Sequence, residues 1–149
     1  MTNSELANRL RDLRDFLIIA GYEESHATRY TQIARYIEKM GEPIEDVKNE
    51  RRLTEIPGVG KLVAQYIREI MDNGVSSKQK EWEDQAPISV LELVRIPGLG
   101  PKTARKLFQE HGIDSLSKLR QADEAGILQE VQGVGPKLIQ AIREHSGKD

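Results

Sequence analysis

The sequence predicts an all-α protein made of two small helical subdomains, and two observations lead to this prediction. Apolar residues recur at every third or fourth position through long segments, as they do on one face of an α-helix. No segment of any length alternates strictly between apolar and polar residues, as a half-buried strand would. Of the 149 residues, 38% are hydrophobic but only 5% are aromatic, so we expect a modest core of Leu, Ile, Val and Ala.

Apolar stripes mark the predicted helices. They lie within residues 4–20, 27–40, 63–71 and 104–108. Each stripe ends at or shortly before a glycine, as helices commonly do, at Gly21, Gly41, Gly74 and Gly112. The polar stretch 75–87 separates the third stripe from the fourth, so we place the subdomains at 1–85 and 86–149. Trp82 lies in that stretch, and we expect it to pack the two halves together.

The composition excludes several classes of site. The absence of cysteine rules out disulfides, thiolate zinc sites and a cysteine nucleophile. The three histidines are scattered, which argues against a zinc site of any kind. There is no membrane-length apolar run and no secretory signal pattern, so we expect no membrane partner and a cytoplasmic location, nucleoid-associated in a prokaryote. The net charge is −2, so any anion must be bound by local basic patches.

A short glycine-containing motif occurs three times. It reads IPGVGK at residues 56–61, IPGLGPK at residues 96–102 and VQGVGPK at residues 131–137. Each copy follows a short apolar segment and precedes a helical stripe. The unequal spacing does not suit a solenoid, so the copies are interpreted as helix-hairpin-helix turns within compact bundles. We expect the second and third turns to be related by a pseudo-two-fold axis.

The motif has the features of a phosphate-binding turn. Its glycines permit positive φ or close backbone approach, and the apolar residue between them is expected to point inward. The helix that follows presents free N–H groups and the positive end of its dipole, beside a lysine in its first turn. Such groups hold a backbone without reading bases. The predicted DNA-binding residues are Gly58, Val59, Gly60, Lys61, Gly98, Leu99, Gly100, Lys102, Thr103, Gly133, Val134, Gly135 and Lys137.

The two segments 53–74 and 91–112, with the spacing between them, resemble the N-terminal region of family X DNA polymerases. Residues 4–85 are similar to the small lyase domain of that family, and residues 86–145 to the adjoining thumb-type segment. Other proteins with paired hairpins, such as the Holliday-junction protein RuvA and the excision nuclease UvrC, are alternatives.

The resemblance implies a ligand, a cation and a pocket. The ligand would be duplex DNA that is gapped or nicked, bound in DNA repair. The cation would be Na⁺ or K⁺, held by the backbone carbonyls of Thr54, Ile56, Val59, Val94, Ile96 and Leu99. A pocket for a 5′-phosphate would be formed by Ser25, His26, Arg29 and Tyr30, with Lys61 nearby.

Two departures from the family argue against enzymatic activity. The chain has no room for the catalytic polymerase domain. The lysine that would form a Schiff base with the sugar is replaced by Tyr66, and a nearby basic residue by Leu62. Lys61 lies about 140° away around the helix. We therefore expect a binding module and no catalytic residues. A lyase that uses a substitute lysine, and a protein-docking module of a repair assembly, remain alternatives; docking differs in being insensitive to salt.

Overall fold

The computed structural model describes residues 1–146, and it confirms the all-α prediction. No strand occurs in this range, and none of its helices is long and apolar enough to cross a membrane. The α-helices are α1 (Asn3–Ala20), α2 (Glu24–Lys39), α3 (Ile44–Asn49), α4 (Lys61–Asn73), α5 (Ser77–Trp82), α6 (Pro101–His111), α7 (Leu116–Glu124) and α8 (Pro136–Ser146). Three 3₁₀ helices span Leu53–Glu55, Ile88–Arg95 and Ile127–Glu130.

The helices begin and end at the capping residues and glycines that the sequence indicates, with one exception. Helix α1 begins where the Thr2 hydroxyl accepts a hydrogen bond from the Glu5 N–H at 3.1 Å. Helices α1, α4 and α6 each end on a glycine in the left-handed region, as expected. Helix α2 differs, because it stops at Met40 in an extended conformation, one residue before Gly41.

Helix α1 is the centre of the fold. One of its faces packs against α2, and it also contacts α6 and the 3₁₀ helix Ile88–Arg95. At its C-terminal end the Gln109 side chain of α6 donates a hydrogen bond to the Ile19 carbonyl at 3.0 Å. Most of the buried hydrophobic residues form one cluster that runs from Leu6 to Ile142. Both halves of the chain therefore share a core built around α1, and their division at residue 85 stays a prediction.

The polar stretch 75–87 is partly helical. Helix α5 begins where the Ser76 hydroxyl accepts a hydrogen bond from the Gln79 N–H at 3.2 Å. The Glu69 carboxylate also accepts hydrogen bonds from the backbone N–H and the hydroxyl of Ser77, at 3.0 and 2.8 Å. The Trp82 ring packs edge-on against Tyr22, with 5.3 Å between ring centroids. This ring contact lies within the first half of the chain, whereas the sequence predicted a contact between the halves.

Candidate nucleic-acid interface

The three glycine motifs form turns of one geometry. In each turn the apolar residue between the glycines donates its backbone N–H to the carbonyl three residues earlier, and the first glycine has a positive φ. The hydrogen bonds are Val59 to Ile56 at 3.0 Å, Leu99 to Ile96 at 3.0 Å and Val134 to Val131 at 3.1 Å. The φ angles are +87° at Gly58, +87° at Gly98 and +94° at Gly133. This is the pattern of a type II β-turn, in which glycine suits the third position and proline the second.

The residue between the glycines points into the protein, as predicted. Val59, Leu99 and Val134 are 5%, 2% and 8% exposed. A 3₁₀ helix precedes each turn, and an α-helix follows it. We call the resulting units the first hairpin (residues 53–73), the second hairpin (88–111) and the third hairpin (127–146).

The second glycine of each turn has no structural requirement to be glycine. Gly60 and Gly100 are extended, with φ of −91° and −89°, a conformation that any residue adopts. A Cβ added at Gly60, Gly100 or Gly135 would meet no atom within 4 Å. The fold would therefore accept a side chain at all three positions. Glycine here keeps open the space in front of the following helix.

That space faces the free donors of a helix N-terminus. Glycine has no side chain with which to cap a helix, so α4 and α6 begin without a side-chain cap. The backbone hydrogen bonds of these helices start at their fourth residues. The Ala64 N–H donates to the Gly60 carbonyl at 2.9 Å, and the Ala104 N–H donates to the Gly100 carbonyl at 3.0 Å. The N–H groups before these positions, together with the helix dipole, attract anions. The first-turn lysines Lys61, Lys102 and Lys137 are exposed beside them.

The second and third hairpins are packed together through a reciprocal contact. A Cβ on Gly98 would lie 3.9 Å from Leu138 Cδ1, and one on Gly133 would lie 3.7 Å from Thr103 Oγ1. Leu138 and Thr103 occupy equivalent places in the two hairpins. Two hairpins related by a pseudo-two-fold axis are expected to make such a reciprocal pair of contacts. The first hairpin packs elsewhere, since Gly58 faces Ile33 of α2 at 3.6 Å.

An ion pair joins the second hairpin to the start of α2. The Lys102 Nζ lies 3.2 Å from a Glu24 carboxylate oxygen, and the lysine side chain is 74% exposed. This pair places the second hairpin close to the predicted 5′-phosphate pocket. Sequence alone does not indicate a role for Glu24, because no local pattern connects residues so distant along the chain.

The predicted pocket residues fall into two environments. Ser25, His26 and Arg29 are exposed on α2. They contact neighbouring groups: the Ser25 hydroxyl donates to Glu23 at 3.2 Å, and the Arg29 Nε donates to the His26 carbonyl at 3.2 Å. Tyr30 is only 2% exposed, and its burial raises the pKa of its phenol to about 12. The first three can reach a ligand, while the Tyr30 ring is part of the core.

The position that the resemblance assigns to the family's lyase lysine is also in the core. Tyr66 is 7% exposed, and burial of its ring explains why an aromatic residue is stable there. Leu62, on the same helix, is 59% exposed, and Lys61 is exposed beside the first turn. No lysine of α4 therefore occupies the Tyr66 site.

Comparison with known families settles the class of these hairpins. A family model described as a helix-hairpin-helix domain matches residues 1–76. The chain belongs to the helix-hairpin-helix family. A second model, described as a SAM-like helix-hairpin-helix tandem, matches residues 90–148. The tandem match covers the second and third hairpins, which the reciprocal glycine contacts hold together.

Helix-hairpin-helix relatives include the polymerases expected from the sequence. The chain is 23% identical over 148 residues to the DNA polymerase/3′-5′ exonuclease PolX of Bacillus subtilis (strain 168), covering 99% of this chain and 25% of the relative. It is 31% identical over 122 residues to DNA polymerase lambda of Arabidopsis thaliana, covering 81% of this chain and 22% of the relative. The resemblance to family X polymerases is thus confirmed as homology over most of this chain, which spans about a quarter of those relatives' length.

A hairpin protein of another kind is also similar. The chain is 27% identical over 101 residues to the Holliday junction branch migration complex subunit RuvA of Roseobacter denitrificans (strain ATCC 33942 / OCh 114). The match covers 63% of this chain and 43% of that relative.

Proposed function

We propose that this chain is a non-sequence-specific DNA-binding module that contacts phosphate backbones through its hairpin turns, at gapped, nicked or 5′-phosphorylated DNA in repair. Its family and its homology to polymerases support DNA binding in general. The observation that carries the proposal is the open second glycine of each turn. Gly60, Gly100 and Gly135 leave room in front of the helices that follow, and α4 and α6 begin without a side-chain cap.

The chemistry of the turns suits a phosphate and no particular base. Uncapped backbone N–H groups donate to phosphate oxygens, and the exposed first-turn lysines neutralise their charge. Neither group distinguishes one base from another. The affinity should therefore depend strongly on salt and weakly on sequence.

The arrangement of the hairpins supports an interrupted duplex as the ligand. The second and third hairpins form one packed unit, while the first is packed on α2. The ion pair between Lys102 and Glu24 brings the paired unit next to Ser25, His26 and Arg29. A strand end with a 5′-phosphate would meet cationic and hydroxyl groups there, while the hairpins hold backbone on either side of the break.

An alkali cation fits the first and second turns. Peptide carbonyls are neutral oxygen donors, which suit Na⁺ or K⁺, and those of Ile56 and Ile96 each accept one turn hydrogen bond with a second lone pair left. The residues that would hold the ion are Thr54, Ile56 and Val59 in the first hairpin, and Val94, Ile96 and Leu99 in the second. Such an ion would add positive charge where a phosphate binds.

A second candidate function is protein docking. It is favoured by a shallow apolar cavity at the third hairpin, lined by Val134, Pro136 and Ile139 together with polar residues. A partner protein of a repair assembly would cover Pro136, which is exposed, and Ile139, which is half-buried. Binding of this kind should persist as salt rises, whereas phosphate binding should fade.

The decisive experiment is a fluorescence-anisotropy titration with three DNA ligands at two salt concentrations. The ligands are a one-nucleotide-gapped duplex with a 5′-phosphate, an intact duplex and a single strand. We expect salt-sensitive binding, with a slope of about −0.9 per phosphate neutralised, and a preference for the gapped ligand. Equal affinity for gapped and intact duplex would reduce the proposal to a general DNA clamp. No binding at low salt would refute it and favour a protein partner.

A further inference from the structure

The exposed face of α2 carries a stripe of cationic and polar side chains beside the first hairpin. Arg29, Gln32, Arg35, Tyr36 and Lys39 recur at spacings of three and four, so they share one side of the helix, and all are exposed. The opposite side carries the buried residues Ala27, Tyr30, Ile33, Ala34 and Ile37. We call the exposed group the α2 stripe. Packing of the core does not explain its composition.

The α2 stripe is free to take up a polyanion. Among the described residues, neither Arg35 nor Lys39 is held in a salt bridge. The carboxylate next to Lys39 is engaged elsewhere, since Glu38 accepts two hydrogen bonds from Arg11, one of them at 2.8 Å. The stripe therefore keeps positive charge that no salt bridge of the described residues holds, and Lys39 has only an electrostatic interaction with the neighbouring Glu38.

Tyr36 gives the stripe an aromatic surface. Tyr36 is one of the few large hydrophobic residues that stay exposed among the described residues, and 45% of its surface is accessible. Cationic side chains along a backbone path, with an aromatic ring on which a base can stack, are the combination that binds single strands without sequence preference. A duplex offers no unstacked base to such a ring.

The stripe continues the surface of the first hairpin. Tyr36 lines one shallow depression with Ile56 and Glu55, at the start of the first turn, and a second one with Gln32, Arg35 and Lys39. The turn itself packs on the buried side of α2, since Gly58 faces Ile33, so these depressions are what connect the stripe to the hairpin. A strand whose phosphate is held by the first turn would thus reach Tyr36 and then the two free cations.

We infer that the α2 stripe binds a single-stranded segment of nucleic acid that continues from the strand held by the first hairpin. One base stacks on Tyr36, and the phosphates on either side lie against Arg35 and Lys39. This inference rests on the proposed DNA binding and adds a strand path to it. Two carboxylates line the first depression and would lie near such a strand: Glu42, which is paired with Arg52, and Glu55.

The test compares a blunt duplex with the same duplex carrying a six-nucleotide single-stranded overhang at either end. The variants are Tyr36→Ala, Tyr36→Phe and the double variant Arg35→Ala/Lys39→Ala. The control is Lys80→Ala/Lys118→Ala, which removes two exposed lysines outside the stripe, of which Lys118 forms an ion pair with Asp114. Circular dichroism melting of each variant checks the fold, and the Phe variant keeps the ring if the Ala variant is destabilised.

We expect the overhang to raise the affinity of the unaltered chain. Tyr36→Ala should lower affinity for the overhang duplex about fivefold or more, with no change for the blunt duplex, and Tyr36→Phe should keep it. The affinity that the overhang adds should depend on salt. In the double stripe variant the salt slope of this added affinity should be shallower by about 1.4, because two phosphate contacts on a single strand are lost. The lysine control should leave that slope unchanged. Glu55→Gln should strengthen overhang binding.

Two results would overturn the inference. An overhang that adds no affinity while blunt duplex still binds would refute the stripe and leave the hairpin proposal intact. Equal losses for stripe and control variants would do the same. Failure to bind any duplex would instead refute the hairpin proposal, and with it this inference.

Discussion

Gly98, in the second turn, packs against Leu138 in the helix that follows the third turn. A Cβ added to Gly98 would lie 3.9 Å from Leu138 Cδ1. The reverse contact joins Gly133 to Thr103 at 3.7 Å. Each turn thus lies on the helix that follows the other. The two anion-attracting helix ends are fixed relative to each other by these contacts.

Replacing Gly98 with alanine should destabilise the protein. At φ of +87° an L side chain clashes with its own backbone, which costs about 1–2 kcal/mol of unfolding free energy. Urea unfolding measures the loss, and Gly133→Ala should match it. Gly100→Ala is the control, because its extended conformation and open surroundings predict little net change: alanine restricts the unfolded chain, which stabilises by about 0.4–1 kcal/mol, but is less favoured than glycine at a helix N-cap. Equal destabilisation at Gly98 and Gly100 would contradict this account of the turn.

Alanine at the second glycines should weaken DNA binding without harming the fold. A methyl group at Gly60, Gly100 or Gly135 would occupy the space through which a phosphate approaches, and loss of one charge-assisted hydrogen bond corresponds to about tenfold or more in affinity. Anisotropy titration and thermal melting on the same samples separate the two effects. Gly41→Ala, at a position equally free of neighbours, should leave both unchanged. Unaltered affinity in all three hairpin variants would remove the main support for the turns as the binding surface.

The ion pair between Lys102 and Glu24 should compete with DNA. Both side chains are well exposed, so the pair contributes little to stability, but it holds the lysine away from a phosphate. We expect Glu24→Gln to raise DNA affinity at low salt, and Lys102→Ala to lower it and to make the salt slope shallower by about 0.9. Titrations at several salt concentrations measure both. A loss of affinity in Glu24→Gln would show that the carboxylate orients the lysine for binding.

Burial of Tyr30 should appear as alkaline sensitivity. The phenol has a pKa of about 12 in the folded chain and 10 as a free side chain, so its contribution to stability is fully present below pH 10 and is lost as the pH rises towards 12. Over that window the loss amounts to about 1.4 kcal/mol per pH unit. Unfolding of Tyr30→Phe beside the unaltered chain isolates the effect. If the unfolding free energies of Tyr30→Phe and the unaltered chain change in parallel with pH, the Tyr30 hydroxyl is hydrated and therefore available to a ligand.

No Schiff base should form on a 5′-deoxyribose-phosphate substrate. The Tyr66 phenol cannot form an imine, and Lys61 lies on a different face of α4. Borohydride trapping with radiolabelled DNA tests this directly. A trapped adduct that disappears in Lys61→Ala would establish the substitute-lysine alternative.

The sequence was sufficient for the fold class and for the hairpin turns. Glycine and proline at fixed places constrain the backbone locally, so the turn at Gly98 was readable before any packing was known. Helices α3 and α5 were not individually predicted. Each is six residues long and forms less than two turns, too few to show a periodic stripe.

Contacts between residues far apart along the chain could not be predicted from the sequence. Nothing near Glu24 indicates that Lys102 will lie beside it, and Trp82 gives no sign that its ring will meet Tyr22. The two roles of the glycines were also not separable in advance. Only the packing shows that Gly98 is required by its φ angle and that Gly100 is not.

The shared core around α1 has a consequence for the shape of the ligand. Because α1 packs on both α2 and α6, the first hairpin and the paired hairpins belong to one block with a fixed spacing. Intact duplex is stiff over its persistence length of about 150 base pairs, while a nick or gap acts as a hinge. A DNA that contacts all three hairpins must therefore make most of the adjustment itself, so under the proposed function the DNA that bends most easily should be held most strongly.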